Sequence, residues 1–140
     1  MFNIIRPLIF KFSPEVAHSL AIKALKLNNI SYSKPIDNHI LETTFCEKKL
    51  SSPIGVAAGF DKNAEVYNPL FNLGFGFVEV GTITPKPQFG NPKPRVFRLE
   101  EDEALINRLG FNNSGSEQIS QTIKENNKKG FLGINIGPNK

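Results

Sequence analysis

Hydrophobic residues near the amino terminus recur at helical spacing over two consecutive segments. In the first segment, residues 2–12, the apolar positions on one side of a helix are Phe2, Ile5, Ile9 and Phe12. A second helix is predicted from Pro14 to Leu27, since Ser13 is a favourable N-cap and proline is tolerated at the first helical position. Its apolar stripe consists of Val16, Leu20, Ala24 and Leu27. Such a helix pair either packs against the remaining chain or lies in a membrane interface, and the pattern leaves both interpretations open.

Beyond the helix pair, compact apolar runs alternate with segments of helical pattern. Short strands are predicted at 43–46 and 48–51. Longer apolar strands are predicted at 53–60, 76–82 and 130–137. Helices are predicted at 63–73 and 114–129, the second with Ile119 and Ile123 on one face. This alternation indicates an α/β fold in which helical crossovers connect the strands of a parallel sheet.

The composition is that of a folded chain, with 140 residues of which 39% are hydrophobic and 21% charged. Basic residues are scattered and the net charge is only +4, so we expect no nucleic-acid partner. Cys46 is the only cysteine, and no His or Cys lies at ligand spacing from it, so neither a disulfide nor a metal site is expected. The amino-terminal apolar run is too short to span a membrane and lacks the pattern of a signal peptide.

Each strand of the predicted parallel sheet ends in small residues accompanied by a polar side chain. The first strand leads into Ala58–Lys62, the second ends at Thr82, and the third contains Asn135 near its end. The carboxyl ends of parallel strands form one edge of a sheet, where ligands bind in such folds. These residues therefore predict a site at that edge, although ordinary turns would explain each motif taken alone.

The string INRLGFNN places two amides, a guanidinium and an aromatic ring close together. Asn107 and Asn112 offer hydrogen-bond donors and acceptors that suit a planar, polar, anionic heterocycle. Gly110 would allow close approach and Phe111 would form a wall of the pocket. The alternative is a solvated loop followed by Ser114 as a helix cap.

Taken together, these motifs resemble those of the class 2, quinone-linked dihydroorotate dehydrogenases. The resemblance rests on SPEVAH, PIGVAAGFDKNAE, GFGFVEVGTITPKPQFGNPKPRVFRL, INRLGFNN and GINIGPNK, which follow in order along nearly the whole chain. It implies an FMN-containing (β/α)8 TIM barrel that oxidises dihydroorotate to orotate in pyrimidine biosynthesis and passes electrons to a quinone. It also implies a peripheral location on the cytoplasmic face of the bacterial inner membrane, with the amino-terminal helices on the membrane surface.

The resemblance assigns roles to individual residues. FMN would be contacted by Ala58, Gly59, Phe60, Asp61, Lys62, Thr82 and Asn135. The substrate would be held by Lys62, Asn107, Arg108, Leu109, Gly110 and Phe111. His18 and Arg98 match positions that line the quinone path between the helix pair and the barrel. Without the resemblance, His18 would be interpreted as a packing histidine, because it shares a helix face with Ala21, Ile22 and Leu25.

The resemblance also divides the chain into a helix pair at residues 1–40 and the first part of a barrel at 41–140. A TIM barrel needs about 250 residues and eight strands, whereas about three are predicted here. No serine present matches the base serine of this class, so a chain of this length is expected to be inactive alone. The alternative is a non-catalytic remnant or a membrane-interaction module from a decayed or split gene.

Overall fold

A computed structural model describes residues 2–27, 39–126 and 130–140. The helices in these ranges are α1 (Phe2–Phe10), α2 (Pro14–Leu27), α3 (Tyr67–Asn72) and α4 (Ser116–Glu125), with a short 3-10 helix at His39–Leu41. The strands are β1 (Thr43–Phe45), β2 (Lys48–Leu50), β3 (Gly55–Val56), β4 (Phe77–Ile83), β5 (Val96–Leu99), β6 (Ala104–Asn107) and β7 (Phe131–Ile136).

The central sheet contains three parallel strands in the order β3, β4, β7. Val78 of β4 lies opposite Val56 on one side and Leu132 on the other. Helix α3 connects β3 to β4, and α4 lies between β4 and β7 in the chain. The predicted parallel sheet with helical crossovers is therefore confirmed.

The hydrophobic core forms where both crossover helices cover strand β4. Val78 and Val80 are completely buried, together with Tyr67 and Leu70 of α3 and Ile119 of α4. The predicted apolar face of α4 is thus confirmed at Ile119. Since the buried residues come from distant parts of the sequence, this core fixes both helices relative to the sheet.

Helix α3 begins later than predicted, at Tyr67 instead of residue 63. The Asp61 carboxylate accepts hydrogen bonds from the backbone N–H groups of Glu65 and Val66, both at 2.8 Å. Ala64 has a left-handed φ of 57°. These contacts hold the preceding segment in a turn instead of a helix. Pro69 falls in the first turn of α3, where its missing N–H costs no intrahelical bond.

Two other predicted elements are shorter in the structure. The strand predicted at 53–60 is confined to Gly55–Val56, because the chain turns away at Ala58 and Gly59. Helix α4 covers Ser116–Glu125 and its N-cap is Gly115, so the interpretation of Ser114 as the cap is wrong. Residues 127–129 of the predicted helix lie outside the described residues.

A β-hairpin lies between β4 and α4, where no regular element was predicted. Strands β5 and β6 pair antiparallel, with Arg98 opposite Leu105. All four residues of β6 are exposed, so this strand shows no clean alternation of buried and exposed positions. The earlier hairpin of β1 and β2 matches the short strands predicted at 43–46 and 48–51.

Helix α2 packs through a different face from its predicted apolar stripe. Ile22 is buried and Leu25 packs against the core. In contrast, Val16 and Leu20 are each 47% exposed and Leu27 is 86% exposed. Helix α2 therefore does pack against the remaining chain, but through Ile22 and Leu25 and not through the predicted stripe, which is exposed. Within the described ranges, neither helix has the length and apolar content needed to cross a bilayer.

We expect Ile119→Ala to lower the free energy of unfolding by about 2–5 kcal/mol, because it removes a fully packed side chain and leaves a cavity. Urea denaturation followed by circular dichroism would measure this change. Ile136→Ala is the matched control, since Ile136 is 79% exposed and should change stability by less than about 0.5 kcal/mol. Equal losses in the two variants would contradict the described core.

Candidate functional site

Polar side chains at the ends of β4 and β7 meet as predicted. The Thr82 hydroxyl donates a 2.7 Å hydrogen bond to Asn135 Oδ1. Asn135 Nδ2 in turn donates to Glu79 Oε1 at 3.1 Å. The predicted proximity of Thr82 and Asn135 is confirmed, and each is held in one orientation.

The loop that follows β3 is joined to the end of β4 through its backbone. Gly59 N–H donates to the Gly81 carbonyl at 2.8 Å, and Gly81 N–H donates to the Asp61 carbonyl at 3.1 Å. Gly81 has φ +109°, and a Cβ there would lie 2.5 Å from the Asn135 carbonyl oxygen. The position therefore requires glycine. Ala58 and Gly59 consequently present a surface with small side chains beside Thr82.

The carboxylate of Asp61 has a structural role. Its side chain is buried and accepts the two backbone hydrogen bonds that shape the turn before α3. Burial raises the pKa of Asp61, while the bonds from Val66 and Glu65 act in the opposite direction. The carboxylate is thus directed into the turn, away from the residues predicted to bind the substrate.

A cavity of about 600 Å³ lies between helix α2, the loop after β3 and the β5–β6 hairpin. It brings together residues from all three predicted groups, those for FMN, substrate and quinone, namely His18, Gly59, Phe60, Lys62, Arg98, Asn107 and Leu109. It is also lined by Glu15, Lys93, Arg95 and Asn112. The cavity thus combines several cations with amide groups, a combination that suits an anionic polar ligand.

Asn112 lines the cavity, but its amide oxygen lies beneath the cavity surface. Its Oδ1 atom is buried and has no hydrogen-bond partner among the described residues. A buried acceptor without a donor costs about 1–3 kcal/mol. Because this oxygen has almost no accessible surface even in the empty cavity, a ligand would contact the other atoms of the Asn112 side chain.

Lys62 is half-buried, and its ammonium group donates to the Gly59 carbonyl. Burial lowers the pKa of Lys62 from the ordinary value of 10.5, whereas the Glu15 carboxylate acts in the opposite direction. A partly desolvated cation interacts more strongly with an anionic ligand than a fully hydrated one. Lys62 is therefore well placed to attract a carboxylate into the cavity.

His18 and Arg98 lie on opposite elements of the same cavity. His18 Nε2 lies 2.7 Å from the Phe60 carbonyl oxygen, and its ring meets the Phe60 ring edge-on at 5.4 Å. Arg98 donates to the Phe12 carbonyl at 2.8 Å and lies 4.4 Å above the Phe10 ring. Arg98 thereby ties the β5–β6 hairpin to the corner between α1 and α2.

Three residues predicted to hold the substrate do not line the cavity. Arg108 donates to the Pro94 carbonyl at 3.1 Å and stacks over Phe97, outside the residues that line the cavity. Phe111 is 48% exposed and does not line it either, so the structure does not support the predicted aromatic wall. Gly110 does permit a close approach, but the approaching group is Asn91, 3.0 Å from a Cβ placed there.

Glu15 and Arg95 line the cavity although the sequence analysis did not identify them. Arg95 is only 7% exposed and pairs with Glu15 at 2.9 Å. In the sequence, Glu15 is typical of a first helical turn and Arg95 is one of several cations in a proline-rich segment. Their contact joins residues 80 positions apart, and no local pattern predicts it. The described residues contain no group of His, Cys, Asp and Glu side chains that could hold a metal ion.

Parallel strands with helical crossovers, together with a ligand cavity beside their carboxyl ends, define a β/α protein of the barrel or open-sheet class. A family model described as dihydroorotate dehydrogenase matches residues 40–140. The chain belongs to the dihydroorotate dehydrogenase family, which confirms the resemblance drawn from its motifs.

Relatives and solved structures agree with this assignment. The chain is 52% identical over 134 residues to dihydroorotate dehydrogenase (quinone) of Rhodospirillum rubrum, covering 96% of this chain and 36% of the relative. It is 53% identical over 135 residues to the protein of the same name from Bartonella henselae, and the match covers 96% of this chain and 37% of that relative. A crystal structure of the Eimeria tenella enzyme in complex with ferulenol superposes with a TM-score of 0.82 at 42% identity, covering 91% and 36%. The chain thus spans little more than a third of these relatives.

The half-buried position of His18 predicts a pH-dependent stability. Burial lowers the pKa of His18 from 6.5. The unfolded chain therefore binds the proton more readily than the folded chain, and stability should fall as pH decreases through about 6.5 toward the lowered value. We expect His18→Gln to reduce this loss between about pH 7.5 and about pH 5.5, measured by urea denaturation.

His39→Gln is the matched control, because His39 is exposed and forms its ion pair with Glu42 at the surface. This variant should keep the pH dependence of the unsubstituted chain. If His18→Gln also kept that dependence unchanged, His18 would not be the group responsible.

Proposed function

We propose that this chain forms the FMN- and substrate-binding first part of a quinone-dependent dihydroorotate dehydrogenase. The reaction is the oxidation of dihydroorotate to orotate in pyrimidine biosynthesis, with a quinone as the electron acceptor. The observation that carries the proposal is the single cavity that joins Lys62, Asn107 and Asn112 to His18 and Arg98. The names of the quinone-dependent relatives support it.

The residues at the strand ends fit an FMN ring. Because the Thr82 hydroxyl donates its hydrogen to Asn135, its lone pairs remain free to accept from a ring N–H. Asn135 Nδ2 uses one hydrogen toward Glu79 and keeps the other for a ring carbonyl. Ala58 and Gly59 allow a flat ring to approach the backbone. When bound, the flavin supplies the acceptor for a hydride from the substrate.

Within the cavity, the chain's own residues bind and orient the substrate. Lys62 neutralises the substrate carboxylate and stabilises negative charge that develops nearby during the reaction. The amides of Asn107 and Asn112 hold the polar edge of the pyrimidine ring, and Leu109 excludes water from one side. Arg108 and Phe111 take no part in this proposal.

The quinone approaches between helix α2 and the β5–β6 hairpin, past His18 and Arg98. This path begins at the helix pair, whose outward surface is apolar. Leu8, Val16 and Leu20 are all exposed there. An amphipathic pair of this kind suits the interface of a bilayer, in which a quinone dissolves. The proposed location is therefore peripheral, on the cytoplasmic face of a bacterial inner membrane.

A second function, a membrane-interaction module without catalysis, is favoured by this same outward stripe. The stripe contacts neither the core nor the cavity, so membrane binding through it requires no barrel. Both functions predict vesicle binding, so the experiment on flavin chemistry separates them, and the experiment on vesicle binding tests the membrane contact that they share.

The catalytic proposal predicts activity once the chain is completed. We define the completed chain as residues 1–140 joined to the remaining part of the Rhodospirillum rubrum relative. It should purify yellow with bound FMN and oxidise dihydroorotate. Lys62→Ala should lower kcat/KM for dihydroorotate by about 100-fold or more, because it removes the cation beside the substrate.

Lys124→Ala serves as the control, since Lys124 lies on the exposed surface of α4. It should leave kcat/KM unchanged. A completed chain that stays colourless and refuses added FMN would contradict the catalytic proposal.

The membrane proposal predicts that the outward stripe drives vesicle flotation. The combined change Leu8→Ser, Val16→Ser and Leu20→Ser should abolish flotation of residues 1–140 with phospholipid vesicles, because it removes the apolar surface that enters the interface.

The matched control changes Ile54, Ile134 and Ile136 to Ser. These residues are at least as exposed as the first three but lie on strands of the parallel sheet or beside them. This control should float as the unsubstituted chain does. Equal flotation of the two triple variants would exclude the helix pair as the membrane-binding element.

A further inference from the structure

Arg95 connects three parts of the chain through one buried guanidinium group. Its Nε and Nη2 atoms donate to Glu15 Oε1 on helix α2 at 3.0 and 2.9 Å. Its Nη1 atom donates to the carbonyl oxygens of Phe89 and Asn91 at 2.7 and 3.0 Å. The planar fork of arginine allows these contacts at the same time, which a lysine ammonium at this position does not reproduce.

The segment from Asn107 to Asn112, whose side-chain amides are proposed to bind the substrate, is attached to Arg95 in two ways. Arg108 N–H donates to the Arg95 carbonyl at 2.8 Å. Asn91, which the Arg95 side chain holds, donates from its backbone to the Leu109 carbonyl at 3.0 Å and from Nδ2 to the Arg108 carbonyl at 2.6 Å. Arg95 therefore holds Arg108 and Leu109 directly and through Asn91, between Asn107 and Asn112.

Glu15 fixes the opposite wall of the cavity. It lies one turn before His18 on helix α2, and only 22% of its side chain is exposed. The pair with Arg95 is thus a buried contact that joins the helix carrying His18 to the segment carrying Asn107 and Asn112. Lys93, 4.0 Å from the same carboxylate, adds a weaker and more exposed contact.

We propose that Arg95 is a positioning residue which, together with Glu15, holds the segment from Asn107 to Asn112 at a fixed distance from Lys62 across the cavity. This inference rests on the proposed function for the identity of the ligand, dihydroorotate. It gives Arg95 and Glu15 a role that they exert without touching the substrate, through the side chains of Asn107 and Asn112. Loss of the pair should weaken substrate binding more than the chemical step, since the segment with Asn107 and Asn112 shifts while Lys62 stays bound to the Gly59 carbonyl.

The test compares Arg95→Lys and Glu15→Gln in the completed chain. Arg95→Lys should raise the KM for dihydroorotate about tenfold and change kcat less than about twofold, because lysine cannot hold Glu15 and both carbonyls together. Glu15→Gln should raise the KM for dihydroorotate by about threefold only, because the hydrogen bonds from Arg95 Nη1 to the carbonyls of Phe89 and Asn91 remain. Steady-state kinetics at saturating quinone and one fixed pH, with FMN content determined for each variant, would measure these changes.

Lys26→Gln is the matched control, because Lys26 and Glu65 form another ion pair between helix α2 and the rest of the chain. It should leave the KM for dihydroorotate within about twofold of the unsubstituted protein. An unchanged KM in both test variants would overturn the proposal. If Arg95→Lys loses FMN or fails to fold, the test rests on Glu15→Gln. An unchanged KM for dihydroorotate in Glu15→Gln would then overturn the proposal.

Hydrogen exchange separates this inference from the proposed function. In the 140-residue chain, without any cofactor, the amides of Asn91 and Arg108 should exchange faster in Arg95→Lys than in the Lys26→Gln control. A completed chain that lacks FMN and turnover would refute the proposed function, while faster exchange would still support the positioning role. Equal exchange in the two variants would overturn that role whatever the activity.

Discussion

The pairing of strand β4 with a parallel neighbour on each side is the constraint on which the remaining structure depends. This strand forms the centre of the sheet, and its buried valines receive both crossover helices. The same strand carries Gly81 and Thr82 near its end, so its register also sets where Thr82 meets Asn135 of β7. Core and strand-end residues are therefore fixed by one set of backbone hydrogen bonds, and the candidate site lies at the end of a strand that is buried along most of its length.

The helix pair adds the second half of the cavity without entering the core deeply. Ile22 and Leu25 anchor α2, while His18 extends the same face toward Phe60. Because packing uses this face, the opposite apolar stripe remains exposed. The arrangement divides α2 into a side that shapes the cavity and a side available to the surroundings. Arg98 continues the connection by binding the carbonyls at the α1–α2 corner.

Local sequence patterns predicted the strands and crossover helices, and the geometry of parallel sheets predicted which strand ends meet. The parallel strands and the meeting of Thr82 with Asn135 followed from apolar runs that end in small residues, because parallel strands place their carboxyl ends at one edge. The inward face of α2 was mistaken because two apolar stripes compete on that helix. Only contact with Phe60 and the core, which are distant in sequence, decides between them.

Two features that the sequence did not predict depend on long-range contacts. The role of Asp61 in the turn before α3 is different, because it is decided by backbone N–H groups only four and five residues later. The β5–β6 hairpin has exposed residues and no strong alternation, so its pairing is visible only in three dimensions. The Glu15–Arg95 contact depends on how the helix meets the hairpin, which no single segment encodes.

The solitary amide oxygen of Asn112 has a consequence for the energetics of the fold. A polar atom kept dry and without a donor carries a penalty of about 1–3 kcal/mol. A group that enters the cavity does not relieve this penalty, because the oxygen has almost no accessible surface there. The chain therefore keeps a locally destabilising side chain on the wall of its candidate site, where an apolar residue of similar shape would avoid the cost.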